Sequence, residues 1–187
     1  MPPRSPGRLA AVLLVAAVSQ LATLPAQASP GEGCQGADSR PDGASYGQLG
    51  RATLCLVNRE RRRRGLRALR SDRRLALAAR RHAGDMVRHS YFAHDSRNGA
   101  RFTSRIARAG YLRGVASWRA GENIAWGAGS RSTPRRVVRA WMNSPGHRAN
   151  ILNGGFRDLG VGVVGGAPVA RRYDVGATYV HDFGVRR

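Results

Sequence analysis

The sequence contains no lysine: all 32 of its basic residues are arginine, set against only 11 acidic residues, for a formal net charge of +21. A GC-rich codon bias accounts for arginine in place of lysine. It does not account for the shortage of Asp and Glu, whose codons are also GC-rich, so the positive excess needs its own explanation. A charge of this size draws anionic partners through surface potential and counterion release. Outside a cell, the common polyanions are wall polymers and lipid head groups; nucleic acid ranks below both.

Cysteine is nearly absent. The two present, Cys34 and Cys55, are too few for a disulfide-built scaffold and form no C-x-x-C motif. Both follow the N-terminal apolar segment, in the part of the chain that an oxidising compartment would receive, and a Cys34–Cys55 disulfide is expected there. It would tie the N-terminal tail to the first helix. A cysteine nucleophile does not fit this usage.

Long hydrophobic runs are also missing. Leu9 to Val18 is the only unbroken one, and it is short of the ~20 residues a spanning helix needs. It follows Arg4 and Arg8 and precedes Ala26-Gln27-Ala28, so residues 1–28 have the form of a secretory signal cleaved after Ala28. Cys34 lies too far from the apolar run to serve as a lipoprotein cysteine. No later segment is long and apolar enough to span a membrane. The expectation is an exported protein, taken as a monomer, with a flexible leader over 29–47 rich in Gly, Pro, Ser and Asp. Residues 48–187 then form one domain, large enough to bury a core.

Several catalytic signatures are missing as well: H-E-x-x-H and the G-x-S-x-G elbow do not occur. Gly160-x-Gly162-x-x-Gly165 matches the dinucleotide fingerprint on paper. It fails in context, because no helix follows and the third glycine opens a turn.

The pattern that is present alternates helix and strand. Leu49, Ala52 and Leu56 set a helical stripe over 48–64 that stops at Gly65, with Arg61 to Arg64 in its last turn, where cations suit the helix dipole. The same arginine run also has the form of an anion-binding patch. Ser71 is placed to cap a second helix, with Leu75, Ala78, Ala79, His82 and Met86 on one face; His82 reads as a hydrogen-bonded core histidine. After Tyr91 and Phe92, two aromatics expected to bury, comes His94. Phe102 to Ala109 suggests a short third helix, and residues 115–125 a strand. Gly127 to Ser130 reads as loop. Thr133-Pro134 starts a fourth helix, and strands follow near 159–164 and 173–183.

The stretch from Trp141 to Leu152 holds Ser144-Pro145-Gly146-His147. Pro145 restricts Ser144 to extended geometry and stops the preceding helix, and Gly146 adds backbone freedom, so His147 reads as turn-presented. With His94 and Glu122 it makes three separated groups able either to bind zinc with an open position for water or to act as acid and base. Asn123 is placed to hydrogen-bond backbone or orient Glu122, with Asp95 and Asp182 as supporting acids. His181 reads as exposed strand decoration.

Six short pieces in register carry a resemblance: Leu56-Val57-Asn58 with Gly65-Leu66, Phe92-Ala93-His94, Gly121-Glu122-Asn123-Ile124-Ala125, Trp141 with Ser144 to Leu152, Gly160-Val161-Gly162, and Asp182-Phe183-Gly184. Together they resemble the CAP superfamily of cysteine-rich secretory, antigen 5 and pathogenesis-related proteins, in its bacterial SCP-like branch. The resemblance covers about residues 48–184. It implies an α+β fold, an α-β-α sandwich with a central antiparallel sheet. It also implies a cleft in which His94, Glu122 and His147 take the family positions and the His pair can hold a divalent metal, often zinc.

One departure is plain. Members from animals and plants usually carry a second cleft acid shortly after the helix tryptophan; here Met142-Asn143-Ser144-Pro145 follows Trp141, and Ser144 takes that space. Two functions result. The first is an extracellular binding module for envelope-associated ligands (a lipid, a sterol-like molecule or an anionic polymer) through the His/Glu cleft. The alternative is a metal-assisted hydrolase with His94 and His147 as ligands and Glu122 as base. A structural or signalling role, with the cleft as scaffold only, ranks third.

Overall fold

The computed structural model describes residues 33–169 and 175–187, together with Met1. The chain divides into Met1–Glu32 and Gly33–Arg187, and every described element lies in the second unit. The signal segment expected over 1–28 falls outside the described residues.

Helix α1 (Tyr46–Arg62) starts two residues before its apolar stripe because Ser45 and Gln48 form a capping box, each side chain bonded to the other's backbone N–H. Its buried face, Leu49, Ala52, Leu56 and Val57, is at most 3% exposed. Burying each Leu or Val contributes about 1.5–3 kcal/mol. The arginine run at its end divides in function. Arg62, Arg63 and Arg64 are exposed, but Arg61 is fully buried and donates to the carbonyls of Arg67, Ile151 and Asn153. It pins the far end of another helix to this one.

Strand β1 (Arg70–Ser71) is two residues long, and helix α2 follows over Arg73–His89. The cap of α2 is Asp72, not Ser71: the Asp72 carboxylate accepts from the backbone of Arg74 and Leu75. An Asp one residue later is the better cap, since it adds charge opposite the helix dipole while Ser71 is spent in the strand. Helix α3 (Phe102–Arg108) is followed by β2 (Trp118–Ala128). β2 runs three residues past its expected end, so Gly127 and Ala128 are strand rather than loop. Gly127 is required there, because a Cβ would lie 2.4 Å from the Arg131 carbonyl oxygen of the 3-10 turn Gly129–Ser132.

Helix α4 (Pro134–Met142) has Pro134 in its first turn, and α5 (Pro145–Leu152) begins the same way. Gly146 and His147 are therefore helical. The turn expected to present His147 is the N-cap and first turn of α5, with Ser144 extended (φ −104°, ψ 120°) as the cap. Proline stops α4 and starts α5 at once, since its missing N–H costs nothing in a first turn.

Strands β3 (Asp158–Gly165) and β4 (Gly176–Arg186) complete one sheet in the order β1-β3-β4-β2, antiparallel except for the parallel β1–β3 edge pair. Alternation along β3 sets the layers. A Cβ on Gly160 or Gly162 would meet the α2 backbone at 2.1 and 2.3 Å, while Val161 and Val163 pack near Gly50 of α1. The glycines that mimic a dinucleotide motif are thus the seat on which α2 lies. Helices α2 and α3 cover one face and α1, α4 and α5 the other, an α-β-α sandwich.

The Cys34–Cys55 disulfide is formed, joining the leader to α1. The described part of the leader is held further by Arg135, whose side chain grips Asp38 and whose N–H donates to the Ala37 carbonyl.

Candidate functional site

Glu122 sits in the middle of β2, and its side chain is 1% exposed. A buried carboxylate is costly unless paired. Both of its oxygens are paired: His94 Nδ1 lies 2.8 Å from Oε1 and Arg105 Nη2 lies 2.6 Å from Oε2. Burial alone would raise the Glu122 pKa, but the His94 hydrogen bond and the Arg105 charge outweigh it and hold the carboxyl below its ordinary range. His94 reaches Glu122 from a loop that Arg105 clamps. Arg105 donates to the carbonyls of His94 and Ala100 and to the Ser96 hydroxyl, and the His82 ring bonds the Ala93 carbonyl at 2.9 Å. His82 is 1% exposed, a core histidine with one bond as read from the sequence; burial keeps it neutral by lowering its pKa.

The aromatics before His94 behave differently from expectation. Tyr91 is half-buried with its hydroxyl on Asp85, but Phe92 is exposed. The His94 ring owes its position to Glu122 and Arg105, not to an aromatic wall. With Nδ1 committed to a carboxylate, Nδ1 carries the proton and Nε2 is the free nitrogen of a half-exposed ring.

His147 approaches on α5, which amides fasten to β2. Asn123 donates to the His147 carbonyl (3.0 Å), Asn150 donates to the Asn123 side chain (2.9 Å) and to the Glu122 carbonyl (3.2 Å), and Trp141 Nε1 donates to the Ile124 carbonyl. The close contact explains Gly121, where a Cβ would fall 2.8 Å from Asn150 Oδ1. The His147 Nδ1 bonds the Ser144 hydroxyl at 2.7 Å. Its pKa is lowered by burial first and then by repulsion from His94. So His94, Glu122, Asn123, Ser144 and His147 assemble around the middle of β2. Asn123 does not orient Glu122; it holds α5.

Register brings two further residues in. Asp182 faces Glu122 across the β2–β4 pair and His181 faces Asn123. Asp182 is 1% exposed and His181 fully buried, so His181 is not surface decoration. It packs 4.4 Å from the Trp141 ring, centroid to centroid, and burial drives its pKa down to about 3. Asp182 is pushed well above the carboxylate range by burial and by the Glu122 charge opposite. Asp95, expected as a support, is exposed and makes no hydrogen bond among the described residues. Arg105 escaped the sequence reading because one buried arginine among 32 carries no local mark.

As metal ligands, these residues supply two imidazoles. Glu122 has spent both oxygens, and among the described residues no three His, Cys, Asp or Glu side chains converge as a metal site would require.

This chain belongs to the CAP family, the cysteine-rich secretory protein family, whose pattern matches residues 54–178. Among curated proteins it is similar to YkwD of Bacillus subtilis, 44% identical over 110 residues, and to the membrane protein YlbC of the same organism, 36% identical, both described as uncharacterized. These matches take in 58% and 59% of this chain but only 40% and 30% of those two proteins. Among solved structures it resembles an extracellular SCP-domain protein of Bacillus anthracis (31% identity, TM-score 0.58, 77% of this chain and 44% of that one). It shares the fold of an outer surface protein of Borrelia burgdorferi (23% identity, TM-score 0.58, 72% and 90%). No described helix is long and apolar enough to cross a membrane.

Proposed function

We propose that this chain is exported and works as an envelope-facing binding module. Its cleft would present the free Nε2 of His94 and the His147 ring to a polar group of a lipid, sterol-like molecule or anionic wall polymer. The observation that carries the reading is that Glu122 is fully committed to His94 and Arg105. A carboxylate used to fix a histidine N–H and an arginine is a support, not a reagent. The disulfide and the extracellular or surface relatives favour export, and the +21 charge favours anionic partners.

The hydrolase alternative draws less support. Glu122, held below its ordinary pKa with no free oxygen, is a weak general base. The Ser144–His147 pair has the contact of a nucleophile and base, but among the described residues no carboxylate bonds the imidazole to complete a triad. If a divalent ion enters, His94 and His147 would hold it, and with two protein donors it would be bound loosely.

The test is cosedimentation of the purified protein with cell-wall material and with anionic vesicles across a salt series. Binding should fall steeply with salt. His94→Ala, His147→Ala and Ser144→Ala should each weaken it while leaving the fold intact. Undiminished binding in all three folded variants would overturn the reading.

A further inference from the structure

A cavity of about 600 Å3 opens between α2, α3 and the 94–101 loop, separate from the His cleft. That is within the size range of small-molecule sites. Its floor includes Ala78 and Ala109, and its rim carries Arg81 and Arg88 from α2, Arg97 from the loop and Arg108 from α3. These four arginines are exposed, and none pairs with a carboxylate among the described residues. The one acid in the wall, Asp85, is taken by the Tyr91 hydroxyl and by His89 at 2.8 Å.

The other arginine-rich groove, between α1 and α4, is partly compensated. There Arg63 and Arg64 bond Glu60 and Arg135 bonds Asp38, while Arg59, Arg139 and Arg148 pair with no carboxylate among the described residues. Fold stability gains nothing from gathering four uncompensated cations around one hollow, since like charges repel. Several guanidinium forks around one cavity suit the non-bridging oxygens of a phosphate ester. The cavity is far larger than inorganic phosphate, and its alanine floor and arginine stems suit a carbon body.

We propose that this cavity binds an organic phosphate, its phosphoryl group held by Arg81, Arg88, Arg97 and Arg108. The site adjoins the His94–Glu122 pair through a shared loop and Arg105. Ser96, Arg97 and Asn98 form its wall, and the same loop carries His94; Arg105 lines the cavity and also clamps that loop to Glu122. A ligand in the cavity therefore orders the segment that positions His94.

Glycerol 3-phosphate is the probe, since its chemistry is common to soluble metabolites, wall polymers and lipid head groups. Calorimetric titration of the folded chain should show binding. The Arg81→Ala/Arg108→Ala double variant should lose at least about tenfold in affinity, a modest figure for two charge-assisted contacts. The Arg63→Ala/Arg148→Ala variant, with the same charge loss in the other groove, should keep wild-type affinity. Arg97→Gln, on the loop, gives a single-residue check. Hydrogen exchange should show residues 94–101 protected by the probe in the wild type and not in the first double variant. Parallel sedimentation with phosphatidylglycerol vesicles separates the sources: a matching loss there assigns a lipid head group, and a loss confined to the soluble probe assigns a free phosphate compound. Equal losses in both double variants would mean general charge attraction and overturn the site, as would failure of both probe and vesicles to bind. The cleft reading stands or falls separately, on His94 and His147.

Discussion

His94 and Glu122, 28 residues apart, meet at 2.8 Å through Nδ1 and Oε1, and the pair fixes both the tautomer and the direction of the exposed ring. The second oxygen of Glu122 belongs to Arg105, which also holds the loop behind His94. One buried anion thus organises a loop, a strand and a helix.

Glu122→Gln should show how much rests on that anion. It leaves Arg105, 8% exposed, without its charge partner, and breaking a buried pair from one side costs about 3–5 kcal/mol. Urea unfolding should report a loss in that range, and the NMR signals of the His94 ring should lose their fixed tautomer. A change under about 1 kcal/mol would show that the pair is not buried as described.

Acid should weaken the fold through His181. Its folded pKa is depressed to about 3 from 6.5, so the unfolded chain takes up a proton first, and its contribution is present above pH 6.5 and lost as pH falls toward 3. Glu122, also depressed, acts in the same direction at lower pH, while Asp182, raised, contributes in the opposite sense as pH rises. Comparison with His181→Phe isolates the histidine. Relative to wild type, the variant should gain stability between pH 6.5 and 4 by up to about 1.4 kcal/mol per pH unit. Parallel curves of urea midpoint against pH would contradict the assignment.

The disulfide closes a loop with a sequence separation of 21. In the chain-entropy description that contributes roughly 3 kcal/mol. Cys34→Ala/Cys55→Ala, or the reduced protein, should melt lower by an amount consistent with that loss, and residues 33–45 should become protease-sensitive while α2 stays protected.

Gly160→Ala tests the packing of α2 on the sheet. The added methyl would lie 2.1 Å from the Leu75 carbonyl carbon, a backbone atom that cannot rotate aside. A cost of about 3 kcal/mol is expected for such overpacking. Gly146→Ala is the control, because nothing lies within 4 Å of its Cβ position, and it should be neutral or slightly stabilising in the first turn of α5.

Much of this was legible in the chain. Leu49, Ala52 and Leu56 marked the buried face of α1, Thr133-Pro134 marked the start of α4, and the six motif pieces pointed to the family and to His94, Glu122 and His147. Local signals failed where two rules competed. Ser144-Pro145-Gly146 read as a turn because proline and glycine break helices, yet proline is equally suited to a first turn, and α5 starts there. Ser71 and Asp72 were both good caps, and strand pairing consumed the first. His181 looked like exposed strand decoration near the chain end. It lies in β4, flanked by β2 and β3 in a sheet that helices cover on both faces, so its side chain is buried.

The sequence by itself determined the element pattern apart from β1 and α5, the charge and the disulfide, since periodicity, capping and cysteine usage act over a few residues or over the whole composition. It also supplied the reason Gly160 and Gly162 fail as a nucleotide motif. Only the tertiary structure decided which arginines are structural. Arg61 and Arg105 are buried and bonded while Arg81 and Arg108 are exposed and unpaired, although all four sit on helices among many others like them. Burial depends on which faces of distant elements meet, and that meeting makes Glu122 a support for His94 rather than a free acid.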